Sequence, residues 1–250
     1  MMKHIPLALY VHIPWCERKC PYCDFNSHEN FDPSLEKPYI DALLNDLDQQ
    51  LGWAGDRELV SIFFGGGTPS LLSGDAIKRV LHCIQQRLRL AENCEITLES
   101  NPGSADARKY DAYRLAGINR LSIGVQSFKE RHLSRLGRIH SGDEAIKAIA
   151  LARSAGFDRL NIDLMYGLPG QTMKDGLDDI SIGIKHGIDH FSWYQLTIER
   201  NTAFWSAPPL LPTDDLIEPM RKNAEALLNN AGIAQYEVSA WSASGQRSIH

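Results

Sequence analysis

The sequence has no long apolar run, and nowhere does it approach the ~18 consecutive hydrophobic residues that a membrane-spanning helix needs. It also has no excess of positive charge, since 26 basic residues face 31 acidic ones and the net charge is −5. A chain with this charge balance lacks the overall positive charge that favours binding to nucleic acid or to an anionic membrane surface. We therefore expect a protein with no transmembrane segment and no nucleic-acid partner.

Cysteine is scarce, with five residues in the whole chain. Cys83 and Cys94 stand alone, and an odd count with no regular spacing is not typical of a secreted disulfide framework. This usage favours a reducing compartment, so the predicted location is the cytoplasm. The two isolated cysteines are interpreted as small buried hydrophobic residues.

The other three cysteines, Cys16, Cys20 and Cys23, fall within eight residues directly after an apolar stretch. Thiolates are soft ligands that select zinc, copper(I) or iron–sulfur clusters. A second cysteine pair, usual in structural zinc sites, does not occur downstream, although His12 or His28 would complete such a site. A four-iron cluster held by three cysteines would keep one iron open to another ligand. The spacing thus predicts a metal or cluster site.

Short apolar segments alternate with helical patterns six times along the chain. Because the connections are helices, the strands should be parallel, with the helices outside. The predicted fold class is α/β, a partial (βα)6 TIM-like barrel over residues 1–200, followed by a flanking segment over 201–250 that contains a helix and one more strand at 235–241. The six predicted strands are 7–13, 59–64, 95–100, 118–125, 160–165 and 190–197.

Polar groups lie at or just beyond the carboxyl end of every predicted strand, where the loops of a parallel barrel share one mouth and form its active site. The glycine turn 65–69 is not a P-loop, because the Gly-Lys-Ser/Thr ending is missing. From the first strand to the sixth, these groups are the cysteines, the glycine turn, Glu99, Gln126, Asp163, and Gln195 with Thr197.

Several motifs resemble one known family. The pattern Cys16-x-x-x-Cys20-x-Tyr22-Cys23 resembles the cluster signature of the radical S-adenosylmethionine (SAM) superfamily. Four ordered segments, 10–16, 65–69, 124–128 and 161–169, resemble its oxygen-independent coproporphyrinogen III oxidase-like family, and within it the heme chaperone branch.

This resemblance implies a [4Fe-4S] cluster on Cys16, Cys20 and Cys23, with SAM on the open iron. One electron from the reduced cluster would cleave SAM, so an electron donor is implied. The residues implied in binding the first SAM are Tyr10, Tyr22, Gly66 and Glu99. Those matching a second cofactor site in the dehydrogenase branch are Gly67, Thr68, Gln126, Arg138, Asp163 and Thr197.

Two departures from the dehydrogenase branch favour a chaperone. Dehydrogenases of the family carry a fourth cysteine two residues after the third, where this chain has Phe25, and an N-terminal extension, whereas nine residues precede Tyr10 here. Family members continue into a C-terminal domain, and the chaperones carry a His-Asn-x-x-Tyr-Trp heme motif, whose first residue would be His250. We accordingly expect that domain to be absent from the chain.

Our leading hypothesis is a protein that binds the cluster, SAM and heme, and passes heme to an acceptor protein. The alternative is an enzyme that oxidatively decarboxylates coproporphyrinogen III to protoporphyrinogen IX. A third hypothesis is an inactive, truncated remnant.

Overall fold

Strands and helices alternate along most of the chain, as the sequence predicts. The computed structural model describes residues 5–250, and the first four residues lie outside it. Its strands are β1 (Leu7–Ile13), β2 (Leu59–Gly66), β3 (Leu90–Ser100), β4 (Arg120–Gln126), β5 (Arg159–Tyr166), β6 (His190–Gln195), β7 (Ala234–Glu237) and β8 (Ala240–Ser242). Its helices are α1 (Glu36–Ala54), α2 (Gly74–Arg87), α3 (Ala107–Ala116), α4 (Glu130–Arg135), α5 (Gly142–Ser154), α6 (Met173–Lys185), α7 (Ala203–Ser206) and α8 (Asp214–Asn230).

One sheet contains all eight strands, in the order β1-β2-β3-β4-β5-β6-β8-β7. The first six are parallel, and each pairs with the strand that follows it in sequence. The last two add to β6 in antiparallel orientation. The α/β fold with a partial parallel barrel is thereby confirmed. All six parallel strands end at the same edge, which brings their following loops together.

The two faces of the sheet have different chemistry. Val11 and Ile13 of β1 and Phe64 of β2 belong to the main hydrophobic core together with Ile77 and Leu81 of α2. Purely parallel sheets usually bury apolar residues on both faces. Here the face opposite that core carries buried charged and polar side chains instead, among them Glu95 of β3, Arg120 of β4 and Asn161 of β5, so the interior of the barrel is available for chemistry.

Residues 201–250 lie against the barrel. Helix α8 packs on α6, where Gly176 lets Met220 approach so closely that an added Cβ would lie 2.8 Å from its sulfur. The prediction of a single strand at 235–241 is wrong. In the structure β7 and β8 form a hairpin, and Ser239 at its turn has φ +61°. The proposed domain boundary at residue 200 stays a prediction.

A buried ionic cluster occupies the interior of the barrel near the amino ends of β4 and β5. The Glu95 carboxylate accepts hydrogen bonds from Arg120 at 3.4 Å and Arg159 at 3.2 Å. It also accepts from the Ser248 hydroxyl at 2.7 Å and the Ile249 amide at 2.9 Å. This cluster anchors the last described residues inside the barrel.

Among the helices of residues 5–250, none combines the length and the apolar character that crossing a membrane requires.

Candidate functional site

A cavity of about 490 Å³ opens at the carboxyl ends of the parallel strands. Residues from every loop that the sequence singled out line this one cavity. The predicted site residues that line it are Cys16, Cys20, Tyr22, Cys23, Gly66, Gly67, Thr68, Glu99, Gln126, Arg138, Asp163 and Thr197.

The cysteine loop leaves β1 and is held in place by backbone hydrogen bonds. The Cys16 amide donates to the His28 carbonyl at 2.8 Å, and the His28 amide donates to the Pro14 carbonyl at 2.7 Å. Within the loop, the Cys23 amide donates to the Cys20 carbonyl at 3.1 Å. All three thiols are free, and all three residues line the cavity. The loop therefore presents three unpaired soft ligands at the mouth of the barrel.

The zinc alternative is not favoured by the contacts of the histidines. His12 uses both ring nitrogens, with Nε2 2.8 Å from the Asn26 carbonyl and Nδ1 3.1 Å from the Tyr10 hydroxyl. His28 is exposed. Within residues 5–250, no three His, Cys, Asp or Glu side chains are grouped to hold one metal ion. A cubane cluster binds each thiolate to a different iron, so it does not require such a grouping.

The glycine turn after β2 packs directly on the entry to the cysteine loop. Gly66 has φ +116°, and a Cβ there would lie 2.7 Å from the His12 ring. At Gly67 a Cβ would lie 2.4 Å from the Trp15 carbonyl oxygen. The Gly67 amide donates to the Ile13 carbonyl at 2.7 Å. The absence of side chains thus lets β2 approach the cysteine loop and keeps the cavity open beside it.

Two acidic residues face the cavity from β3 and β5. Burial, reinforced by the nearby Asp163 carboxylate, raises the pKa of Glu99 to about 8. Burial also raises the pKa of Asp163, although hydrogen bonds from Ser192, Asn161 and Ser122 oppose that shift. Their proximity makes this wall of the cavity a suitable environment for a cationic group.

The raised pKa of Glu99 predicts a pH-dependent stability. Because the folded state holds this proton up to about pH 8 and the unfolded state loses it near pH 4.5, the free energy of unfolding should fall as pH rises across that window. The slope from this group approaches about 1.4 kcal/mol per pH unit. Glu99→Gln should remove that contribution, which urea unfolding of the cluster-free chain at pH 5 and pH 9 will measure. An unchanged difference between the two pH values would contradict the prediction.

Gln126 reaches the cavity through an irregular end of β4. The register against β5 shifts between Gly124 and Gln126, and Gln126 has φ +66°. Its side-chain oxygen accepts a hydrogen bond of 2.8 Å from the Tyr194 hydroxyl. Tyr194 lines the cavity but was not predicted from the sequence. The alternation of side chains along β6 is the sequence feature that indicates Tyr194, because Phe191 and Trp193 are buried in the main hydrophobic core while Tyr194, between them and the strand end, points to the other face.

Thr197 and Phe25 lie at the rim. The Thr197 hydroxyl donates to the Glu199 carboxylate at 2.7 Å, and its residue is exposed. Phe25 lines the cavity with 57% of its surface exposed. The deeper Tyr22 has a pKa raised chiefly by burial. These residues shape the entrance and one wall of the cavity.

Tyr10 is the one predicted site residue that does not line this cavity. It is 51% exposed and stacks on Phe63, with ring centroids 6.2 Å apart. His250 stacks on the same Phe63 ring at 4.2 Å. Tyr10 reaches the site indirectly, through the hydroxyl that contacts His12. Its direct role in binding SAM stays a prediction.

Comparison with known proteins identifies relatives along the whole chain. The model of the radical SAM superfamily matches residues 10–181. The chain is 50% identical over 250 residues to the heme chaperone HemW of Escherichia coli strain K12, covering all of this chain and 66% of that protein. It is 39% identical to the mouse mitochondrial radical S-adenosyl methionine domain-containing protein 1, covering 97% of this chain and 56% of the relative. The chain thus spans somewhat less than two thirds of the length of these relatives.

The fold is similar to that of a solved member. Coproporphyrinogen III oxidase (HemN) from Escherichia coli, a radical SAM enzyme, superimposes with a TM-score of 0.86 at 26% identity. That match covers 96% of this chain and 56% of the oxidase. Given this fold, the superfamily match and the similarity to HemW, the chain belongs to the radical SAM superfamily and is a homologue of its heme chaperones.

Proposed function

We propose that this chain is a heme chaperone-type radical SAM protein, which binds a [4Fe-4S] cluster, SAM and heme, and passes heme to an acceptor protein. The observation that supports it best is the 50% identity with HemW across the full 250 residues. Because the chain spans 66% of HemW, heme binding and transfer are proposals for this chain.

The residues of the cavity fit the cluster that the family implies. Cys16, Cys20 and Cys23 supply three free thiols at one mouth, and three cysteines leave a fourth iron open. When bound, the cluster would supply one electron for cleavage of SAM. An external donor would then have to replace that electron.

The same cavity offers groups suited to SAM. The Glu99 carboxylate would bind the ammonium of its methionine part, with Gly66 leaving room beside it. Since Glu99 holds a proton up to about pH 8, binding a cation there would release that proton near neutral pH. We assign Tyr22 to the wall next to the cluster and Tyr10 to an indirect contact through His12.

Heme titration of the anaerobically reconstituted chain tests the chaperone proposal. We expect a saturable shift of the Soret band at about one heme per chain. The cluster-free chain serves as the control for dependence of heme binding on the cluster. Absence of a saturable shift would contradict a chaperone role for these 250 residues.

A second candidate is oxidative decarboxylation of coproporphyrinogen III. The TM-score of 0.86 with the oxidase favours it, as do Gln126, Arg138 and Asp163 around one cavity, which would hold a second SAM with Gly67, Thr68 and Thr197. Anaerobic incubation with coproporphyrinogen III, SAM and a reductant distinguishes the two. Formation of protoporphyrinogen would establish the enzyme, whereas SAM cleavage without a porphyrin product would count against it.

A further inference from the structure

Arg138 contacts one of the three cysteines directly. Its Nη1 lies 3.5 Å from the Cys20 sulfur, and its Nη2 donates to the Gly124 carbonyl at 2.7 Å. The guanidinium packs against Gly124, since a Cβ built there would lie in ordinary van der Waals contact with Nη2, at 3.6 Å. The Arg138 Nε is buried and has no hydrogen-bond partner among residues 5–250. The side chain is thus oriented by Gly124, with one nitrogen toward the thiol.

The backbone around Arg138 is fixed against the cysteine loop. Helix α4 ends in a left-handed turn at Gly137, with φ +66°, and the Arg138 amide donates to the Leu133 carbonyl at 2.9 Å. A Cβ at Gly137 would lie 2.7 Å from the Pro21 ring, so this turn packs on the residue that follows Cys20. The contact between Arg138 and Cys20 therefore follows from the packing of two backbone segments.

A guanidinium beside one thiolate affects a cluster in a specific way. Arginine keeps its positive charge at all relevant pH values, and hydrogen bonds to thiolate sulfur help set the reduction potential of iron–sulfur clusters. Reduction adds one negative charge, which a nearby buried cation stabilises. Charge and hydrogen bond both favour the reduced state.

We propose that Arg138 is a positioning residue of the cluster, which donates a hydrogen bond to the Cys20 thiolate and raises the cluster's reduction potential. This inference rests on the proposed function, because it requires the cluster on Cys16, Cys20 and Cys23. It assigns to Arg138 a role toward the cluster in addition to the second cofactor site suggested by the family resemblance.

The test is a redox titration of the reconstituted full chain in the absence of SAM. Electron paramagnetic resonance measures the fraction of reduced cluster at each potential. Arg138→Gln removes the charge, and we expect an about tenfold shift of the equilibrium toward the oxidised cluster, which is about 59 mV for one electron. Arg138→Lys keeps the positive charge but lacks the planar guanidinium, so it should shift the reduction potential by less than Arg138→Gln does. The control is Arg135→Gln, since Arg135 is exposed and contacts the Pro169 carbonyl; its potential should equal that of the wild type.

A second measurement keeps the inference testable if Arg138→Gln assembles no cluster. In wild-type protein labelled with ¹⁵N-arginine, the reduced cluster should show a ¹⁵N hyperfine coupling that Arg138→Lys abolishes and Arg135→Gln retains. A cluster with about four irons, unchanged potential in Arg138→Gln and no coupling would overturn the role of Arg138 alone. A wild-type chain that binds no cluster would overturn the proposed function as well.

Discussion

Replacing Cys20 by serine should abolish the cluster. We expect anaerobic reconstitution of the wild type to give a brown protein with about four irons per chain, and Cys20→Ser to lose nearly all of that iron. Serine keeps the size of the side chain but replaces the soft thiolate that iron–sulfur clusters select with a hydroxyl. Two remaining thiols, Cys16 and Cys23, are too few to retain a cubane. Iron and sulfide analysis, with the visible absorption spectrum, measures the effect.

The matched control is Cys83→Ser, the same substitution at a partly buried cysteine that does not line the cavity. It should retain the iron content and the brown colour of the wild type. A Cys20→Ser protein with about four irons would refute the assignment of the ligands. A colourless wild-type protein that retains only zinc would instead revive the zinc alternative.

Of the substitutions discussed for this chain, Glu95→Gln should lower the free energy of unfolding the most. The side chains of Glu95 and Arg120 have 0% and 2% of their surface exposed, and Glu95 also accepts from Arg159 and from the tail. Glutamine keeps the shape of the side chain but leaves the buried Arg120 cation without a counter-charge. Breaking such a pair costs about 3–5 kcal/mol of the free energy of unfolding. Urea unfolding followed by circular dichroism, at constant pH, provides the measurement.

A surface pair offers the comparison. Asp48 pairs with Arg87, with side chains 45% and 26% exposed, so Asp48→Asn should lower the free energy of unfolding far less than Glu95→Gln does. Adding Arg120→Met to Glu95→Gln should recover part of the loss, because the uncompensated charge is removed. Equal effects of Glu95→Gln and Asp48→Asn would show that the buried cluster does not stabilise the fold.

The sequence predicted the architecture because its signals are local. Apolar strands alternate with helical patterns, and short crossovers impose parallel pairing of neighbours. The turn at Gly117 ends α3 in a left-handed conformation, with φ +116°, as the residue type indicates. Since all parallel strands end at one edge, the sequence also predicted that Glu99, Gln126 and Asp163 lie at one mouth, and all three line the cavity.

The hairpin at the end of the sheet could not be separated from a single strand by sequence. Residues 235–241 read as one extended segment, and the positive φ at Ser239 that divides them carries no glycine signal. The alternation along β6 puts Tyr194 on the face opposite Phe191 and Trp193, but only the strand register showed that this face lines the cavity, since a one-residue slip would reverse it.

The chain by itself determined that three thiols lie within eight residues after the first strand and that polar groups gather beside them. Only the tertiary structure decided which groups touch. Arg138 is 118 residues from Cys20 and Glu95 is 153 residues from Ser248, yet each pair is in contact. Tyr10 lies six residues before Cys16, yet it does not line the cavity. Local residue patterns encode strands and turns, whereas contacts between distant side chains arise only when the sheet and its helices pack together.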